Sequence, residues 1–232
     1  MPCINCNIEF KGDFCPTCGE KKDVDRITFQ SITTSVFSGF LNMDKGLLFN
    51  LKNLTIHPKK TILNYINGKR RQVLNPISYV ILTISVYLFL GSILPRGERP
   101  EVSKIDLFDA QEMGMKVGYF MRDKMKFLWF TYAIYTSIFT KLIFKKYNFF
   151  EHLAINCFIL GHATILAILT RLVYNREIII FNFLVYAYIS ILLYKVFKDP
   201  KDAFGSAAIS ILVVFLSFLV FLGVPFLLVN FL

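Results

Sequence analysis

The chain has 232 residues, with 26 Lys and Arg against 16 Asp and Glu, a net charge of +10, and 55% apolar residues that include 25 Phe. Soluble domains run at roughly 45–50% apolar. A mean hydropathy of +0.52 and several apolar runs near the roughly 18 residues of a membrane span exclude an ordinary soluble protein. The basic residues gather at the ends of those runs, as in "KKTILNYINGKRR" and "FKDPK". That distribution fits membrane topology and contact with anionic lipid headgroups, and it argues against nucleic acid as a partner.

Residues 1–25 hold C-x2-C-x8-C-x2-C at Cys3, Cys6, Cys15 and Cys18. Two residues between cysteines let both sulfurs face one ion, and four thiolates close a tetrahedral shell, so the spacing predicts a structural zinc ribbon. A rubredoxin-like iron site and two disulfides are the alternatives. With no ligand position left for water, catalysis by this metal is not expected. Gly19 and Pro16 shape the second knuckle, and "IEFKGDF" predicts a short hairpin turning at Gly12, with Phe10 and Phe14 covering the site. Lys11, Lys21 and Lys22 are placed to offset the charge of a four-thiolate site. No secretory signal is expected ahead of the apolar runs, because the first 26 residues are polar and cysteine-rich rather than a basic segment followed by an apolar core. Reduced cysteines holding a metal fit a cytosolic setting.

Residues 26–75 predict amphipathic, interfacial helices. Phe29, Ile32, Val36, Phe40, Met43, Leu47, Leu51 and Leu54 recur at steps of three and four. Gly46, in "NMDKG", is expected to split this run in two. In "HPKKTILNYINGKRR", Pro58 marks a helix start and Gly68 a stop. Ile62, Leu63 and Ile66 share one face, while Lys59, Lys60, Lys69, Arg70 and Arg71 are offered to anionic headgroups. Packing on the cytoplasmic end of the bundle is compatible with that placement.

Residues 76–232 predict an all-α integral membrane helical bundle. Its five spans lie near Pro76–Leu94, Phe127–Phe144, Phe150–Leu172, Ile178–Phe197 and Ser206–Leu232. Lys141 is expected to snorkel at the end of the second span, and Pro225 to kink the fifth. Basic residues at Lys59, Lys60 and "GKRR", then Lys145 and Lys146, then Lys195, Lys198 and Lys201 put the amino end inside. Arg171 and Arg176, expected to snorkel at the far end, then fall outside together with the Arg96–Lys126 loop. That loop carries seven basic residues, and the reducing requirement of the cysteines decides the orientation.

The third span carries Glu151, His152, Asn156, Cys157 and His162. His152 and Asn156 are four apart and share a face, with His162 three turns on and about a quarter turn off it. Ionisable groups at membrane depth face the bundle interior or a water-filled cavity. One reading makes Glu151, His152, Asn156 and His162 a polar path. The other has Glu151 and His152 capping the helix, with His162 neutral and bonded between helices. No nucleophile with its base, phosphate loop or zinc-protease helix occurs, so an enzyme is not expected.

The blocks "FCPTCGEK", "RITF", "NMDKGLLFNLKNL", "HPKKTILNYINGKRRQVLNPISY" and "EHL" together resemble a group of uncharacterised bacterial membrane proteins known as a domain of unknown function. The resemblance covers roughly residues 3–90 and the start of the third span. It implies an N-terminal zinc ribbon followed by a helical membrane domain, and it brings no activity. The chain departs from the family at "HPKK" and at Phe158. In span count and in a proline-led helix before the first span, it is also similar to the five-span Golgi proteins that interact with Rab-type GTPases.

The function expected is a non-enzymatic adaptor or scaffold in a bacterial inner membrane, multi-pass, with a cytoplasmic zinc-ribbon head for a protein partner and spans that anchor and oligomerise it. The alternative is a small transporter or pore along the third span. A lipid-modifying enzyme is the third reading.

Overall fold

A computed structural model of the chain describes residues 2–22, 26–31, 43–94, 117–118, 120, 124–174 and 179–231. Ile32, Val36, Phe40, Arg176 and most of the Arg96–Lys126 loop lie outside the described residues. Among the described residues, seven α-helices with both ends placed follow the cysteine ribbon: α1 (Met43–Ile56), α2 (Pro58–Ile66), α3 (Pro76–Ile93), α4 (Thr131–Ile143), α5 (Phe149–Tyr174), α6 (Phe183–Phe197) and α7 (Ala203–Phe231).

Their starts are written in short polar side chains. Asn75 accepts from the Ile77 and Ser78 amides at 2.9 and 3.4 Å and precedes Pro76 at the first position of α3. Asn182 accepts from Leu184 N at the head of α6, and Asp202 from Gly205 N at the head of α7. Each side chain supplies an acceptor to amides that have no partner inside the helix. Helix α2 begins at Pro58 and ends in a Schellman motif, in which Gly68 N donates to Tyr65 O and Lys69 N to Asn64 O. Gly68 takes the left-handed conformation (φ 103°) that this motif requires.

Gly46 does not split a helix: α1 runs through it. A side chain there would meet Leu74 at 3.2–3.3 Å, so the glycine marks a close approach rather than a break. One turn on, Asn50 clamps both backbone groups of Leu74, donating to its carbonyl and accepting from its amide. This pair fastens α1 to the entry of α3.

Helix α5 sits at the centre, packed against α1, α2, α3, α4 and α6, while α7 closes the far side against α4 and α6. Every residue from 154 to 164 is buried. Gly161 lies against Tyr79 and Val80, and Gly91 against Arg171, so α3 and α5 run parallel. Thr140 meets His152 and Trp129 meets Thr164, so α4 runs antiparallel to both. Ile211, Leu212, Phe215, Leu219 and Val220 of α7 are exposed, as a lipid-facing side requires.

Among the described residues, three helices are long and apolar enough to cross a membrane: Pro76–Ile93, Phe149–Val173 and Ala203–Val224. The other two expected spans are shorter. Helix α4 has 13 residues and α6 has 15, giving about 20 and 22 Å at 1.5 Å per residue. Tight turns precede both. Successive i→i+3 bonds lead from Lys124 to Ala133, and a 3-10 turn covers Ile179–Phe181. Such turns rise about 2.0 Å per residue. Helix α7 continues through Pro225.

The Lys141 Nζ reaches past the end of α4 and donates to the Tyr147 carbonyl at 2.6 Å. One further expectation is corrected. Arg171 is buried rather than reaching for the surface, with its guanidinium 5.4 Å from the centre of the Tyr87 ring.

Candidate metal centre and buried polar residues

The ribbon is one knuckle built twice, twelve residues apart. Cys3 N donates to Ile8 O and Asn7 N to Cys3 O; Cys15 N donates to Glu20 O and Gly19 N to Cys15 O. Isolated bridges join Pro2 to Glu9 and Phe14 to Lys21. Asn7 (φ 60°) and Gly19 (φ 69°) occupy the same left-handed position in the two copies, which glycine and asparagine tolerate best. The expected hairpin across Gly12 is therefore not the pairing found: each bridge closes its own knuckle.

These turns bring the four cysteines together. Cys3 and Cys18 Sγ are 3.4 Å apart, Cys6 and Cys15 Sγ 3.5 Å, and all four sulfurs lie within 4.8 Å of one another. A tetrahedral ion with metal–sulfur bonds near 2.3 Å would set its sulfurs about 3.8 Å apart, so this cluster can hold a metal ion. A disulfide would need about 2.05 Å. Phe10 is buried against Cys3 and Cys15, whereas Phe14, expected as a second cover, is 64% exposed. The Cys18 and Thr17 amides pull Cys15 down to about 6 against the cost of burial. The Cys6 amide likewise lowers Cys3. At Cys6 the Ile8 amide also lowers, but burial and the three neighbouring sulfurs outweigh it and push the thiol up to about 12.

The second knuckle is docked on the bundle. Glu20 is buried, and its Oε2 accepts from the Arg71 amide at 3.3 Å. The Arg71 guanidinium lies where a side chain at residue 19 would stand, 3.0–3.2 Å from that position, so Gly19 serves both the knuckle and the contact.

Glu151 sits at the head of α5 and forms a reciprocal capping box: Asn148 N donates to Glu151 Oε2, and Glu151 N to Asn148 Oδ1, both at 2.8 Å. Asn148 Nδ2 also donates to Ile27 O, and Arg26 lies 3.7 Å from Glu151, which ties the residues after the ribbon to this helix.

His152 and Asn156 share one partner on α4. Thr140 donates its hydroxyl to the Thr136 carbonyl, so its oxygen accepts from both Asn156 Nδ2 and His152 Nδ1, each at 3.1 Å. The proton of His152 is thereby on Nδ1. Its Nε2 is buried and makes no hydrogen bond of good geometry, the Phe144 backbone carbonyl acts on the same ring, and the ring stacks on Phe197.

His162 faces a different way. Thr55 commits its hydroxyl to Leu51 O at 2.7 Å and therefore accepts from His162 Nε2 at 3.2 Å. Nδ1 then accepts from the Tyr79 hydroxyl at 3.0 Å. One neutral ring thus pins α1 and α3 to α5. Apolar Ile155, Phe158 and Ile159 are buried on the intervening turns, and no hydrogen bond among the described residues joins the two histidine clusters. Thr55, Tyr79, Thr140 and Glu20 escaped the sequence reading. The Asn-x-x-Glu spacing at 148–151 was the only local signal available for any of these contacts.

Neither a curated protein nor a solved structure matches the chain. Residues 44–88, from the first turn of α1 through most of α3, match the family described as "Protein of unknown function (DUF3667)", and the match begins after the cysteine ribbon.

Proposed function

We propose that this is a multi-pass protein of a bacterial inner membrane that works as a non-enzymatic adaptor, with a cytoplasmic zinc ribbon as its docking head. The carrying observation is what the ribbon leaves uncovered. Its second knuckle is docked through Glu20 and Arg71, while Ile4, Ile8 and Phe14 are 42%, 43% and 64% exposed. A module whose own core is little more than Phe10 and the cysteines does not expose three large apolar side chains without cost, and such side chains suit a protein partner. The four-thiolate donor set favours zinc, and reduced thiolates favour the cytosolic side.

Five crossings fit this reading. If α5 and α7 both run outward, the chain must return between them, and α6 is the helix in residues 175–202 that can do so. The same argument applies to α4 between α3 and α5. The test is a Phe14→Asp, Ile8→Asp variant that keeps its metal and its membrane insertion: it loses the captured partner. A partner retained by that variant overturns the adaptor.

A second reading, a small transporter, is favoured by the buried His152 Nε2, which makes no hydrogen bond of good geometry. It expects a pH-dependent flux through liposomes that His152→Ala removes. No flux above empty liposomes, with the metal in place, discards it.

A further inference from the structure

Between the ribbon and the α1–α2 hairpin lies a cleft of about 220 Å³, several times the roughly 30 Å³ share of one water. Asn5 and Glu20 of the ribbon form one wall, and residues from Phe49 to Val73 form the other. Lys60, Lys69 and Arg71 line it, together with His57, Asn64 and Gln72. No carboxylate lies within ion-pair distance of these three cations among the described residues, where the one ion pair is Arg26 with Glu151. The cleft's single acid, Glu20, is turned to the Arg71 amide.

A second observation points the same way. Helix α2 opens into this cleft with no side-chain cap: His57 makes no capping bond, and Pro58 occupies the first position. The following amides and the helix dipole are thus left for an outside acceptor. Val73 lines the cleft and Pro76 begins α3 three residues later. The cleft therefore lies at the end of a candidate span, at headgroup level.

We propose that this cleft binds a phosphate group, held by Lys60, Lys69 and the open end of α2. The ligand is either a lipid phosphomonoester headgroup or a free phosphate, which share this chemistry. Because Asn5 and Glu20 complete the site, an intact metal-bearing ribbon is needed to form it. The proposal deepens the adaptor reading and rests on it only for the side of the membrane that the cleft faces.

The experiment uses the full chain in neutral detergent at constant ionic strength. Binding of inorganic phosphate and of short-chain phosphatidic acid is measured, with short-chain phosphatidylcholine as the neutral control. Lys60→Ala with Lys69→Ala is expected to weaken binding by roughly tenfold or more, as loss of charged hydrogen bonds implies. Lys195→Ala with Lys198→Ala, on α6 and just beyond it, leaves binding unchanged. Stripping the metal weakens it too. Saturation by inorganic phosphate identifies a free-phosphate site, and binding of phosphatidic acid alone identifies a lipid site. Absence of both, or equal weakening by the two lysine pairs, overturns the proposal. Lys60 is exposed and Lys69 half-buried, so these variants do not threaten the core. Arg71 is left intact because it also docks the ribbon. Since partner capture is read separately in the Phe14 and Ile8 variant, failure of this site leaves the adaptor standing, and the reverse.

Discussion

His162 on α5 donates to Thr55 at the end of α1, and the direction of that bond is fixed because the Thr55 proton is already given to Leu51. Their separation of 107 positions makes this a long-range clasp: it holds the α1–α2 hairpin on the bundle while Tyr79 holds α3 to the same ring.

Removing the clasp should loosen the hairpin without unfolding the bundle. Thr55→Val leaves an imidazole N–H without its acceptor and should cost about 1 kcal/mol, near the membrane hydrogen-bond range. A double-mutant cycle with His162→Phe reads the coupling from unfolding midpoints in detergent. Additive losses would show that the two residues do not interact.

Gly161 permits the closest approach of α3 and α5. A methyl group there would stand 2.7 Å from Tyr79 Cδ1 and 3.2 Å from the Val80 Cα, the second being backbone. Gly161→Ala should therefore destabilise by about 1–3 kcal/mol, as overpacking does. Gly223→Ala is the matched control, since nothing lies within 4 Å of its added carbon, and it should be neutral or slightly stabilising. Equal midpoints for the two variants would remove Gly161 from the packing argument.

What could be read in advance follows from where the information lies. Paired cysteines two residues apart are local chemistry, and their cluster was legible to the residue. Pro76 and the third long apolar run fixed helix starts to within a residue because capping is local as well. Hydropathy does not distinguish an α-helix from the tighter turns before α4 and α6, so both were expected longer than they are. Gly46 was misread because a glycine inside an amphipathic run looks like a break until Leu74, 28 positions on, is seen against it. Arg171 was misread for the same reason: the notch at Gly91 and the ring of Tyr87 that bury it belong to another helix.

The ribbon has almost no apolar core of its own, only Phe10 packed on the cysteines, so its fold should depend on metal. Chelation, or Cys15→Ser, should abolish amide protection over residues 2–22 and leave residues 154–164 protected. Hydrogen exchange followed by mass spectrometry reads both segments at once. Ribbon amides that stay protected after the metal is stripped would mean that docking through Glu20 and Arg71 suffices to hold the fold.

Glu151 offers a test that separates a structural carboxyl from a transporting one. Its oxygen caps the Asn148 amide while its own amide is capped in return, and glutamine can make the same box. The pairing with Arg26 adds little, because the Arg26 side chain is 76% exposed. Glu151→Ala should therefore cost about 1 kcal/mol of stability, while Glu151→Gln should keep the midpoint of the parent protein. A glutamine variant as unstable as the alanine one would show that charge rather than capping holds the head of α5. If Glu151→Gln keeps its stability but loses a proton or ion flux that the parent protein shows, the carboxyl is part of a path. If stability and flux both survive the change, the role of Glu151 is to begin the central helix and to tether the ribbon's exit to it.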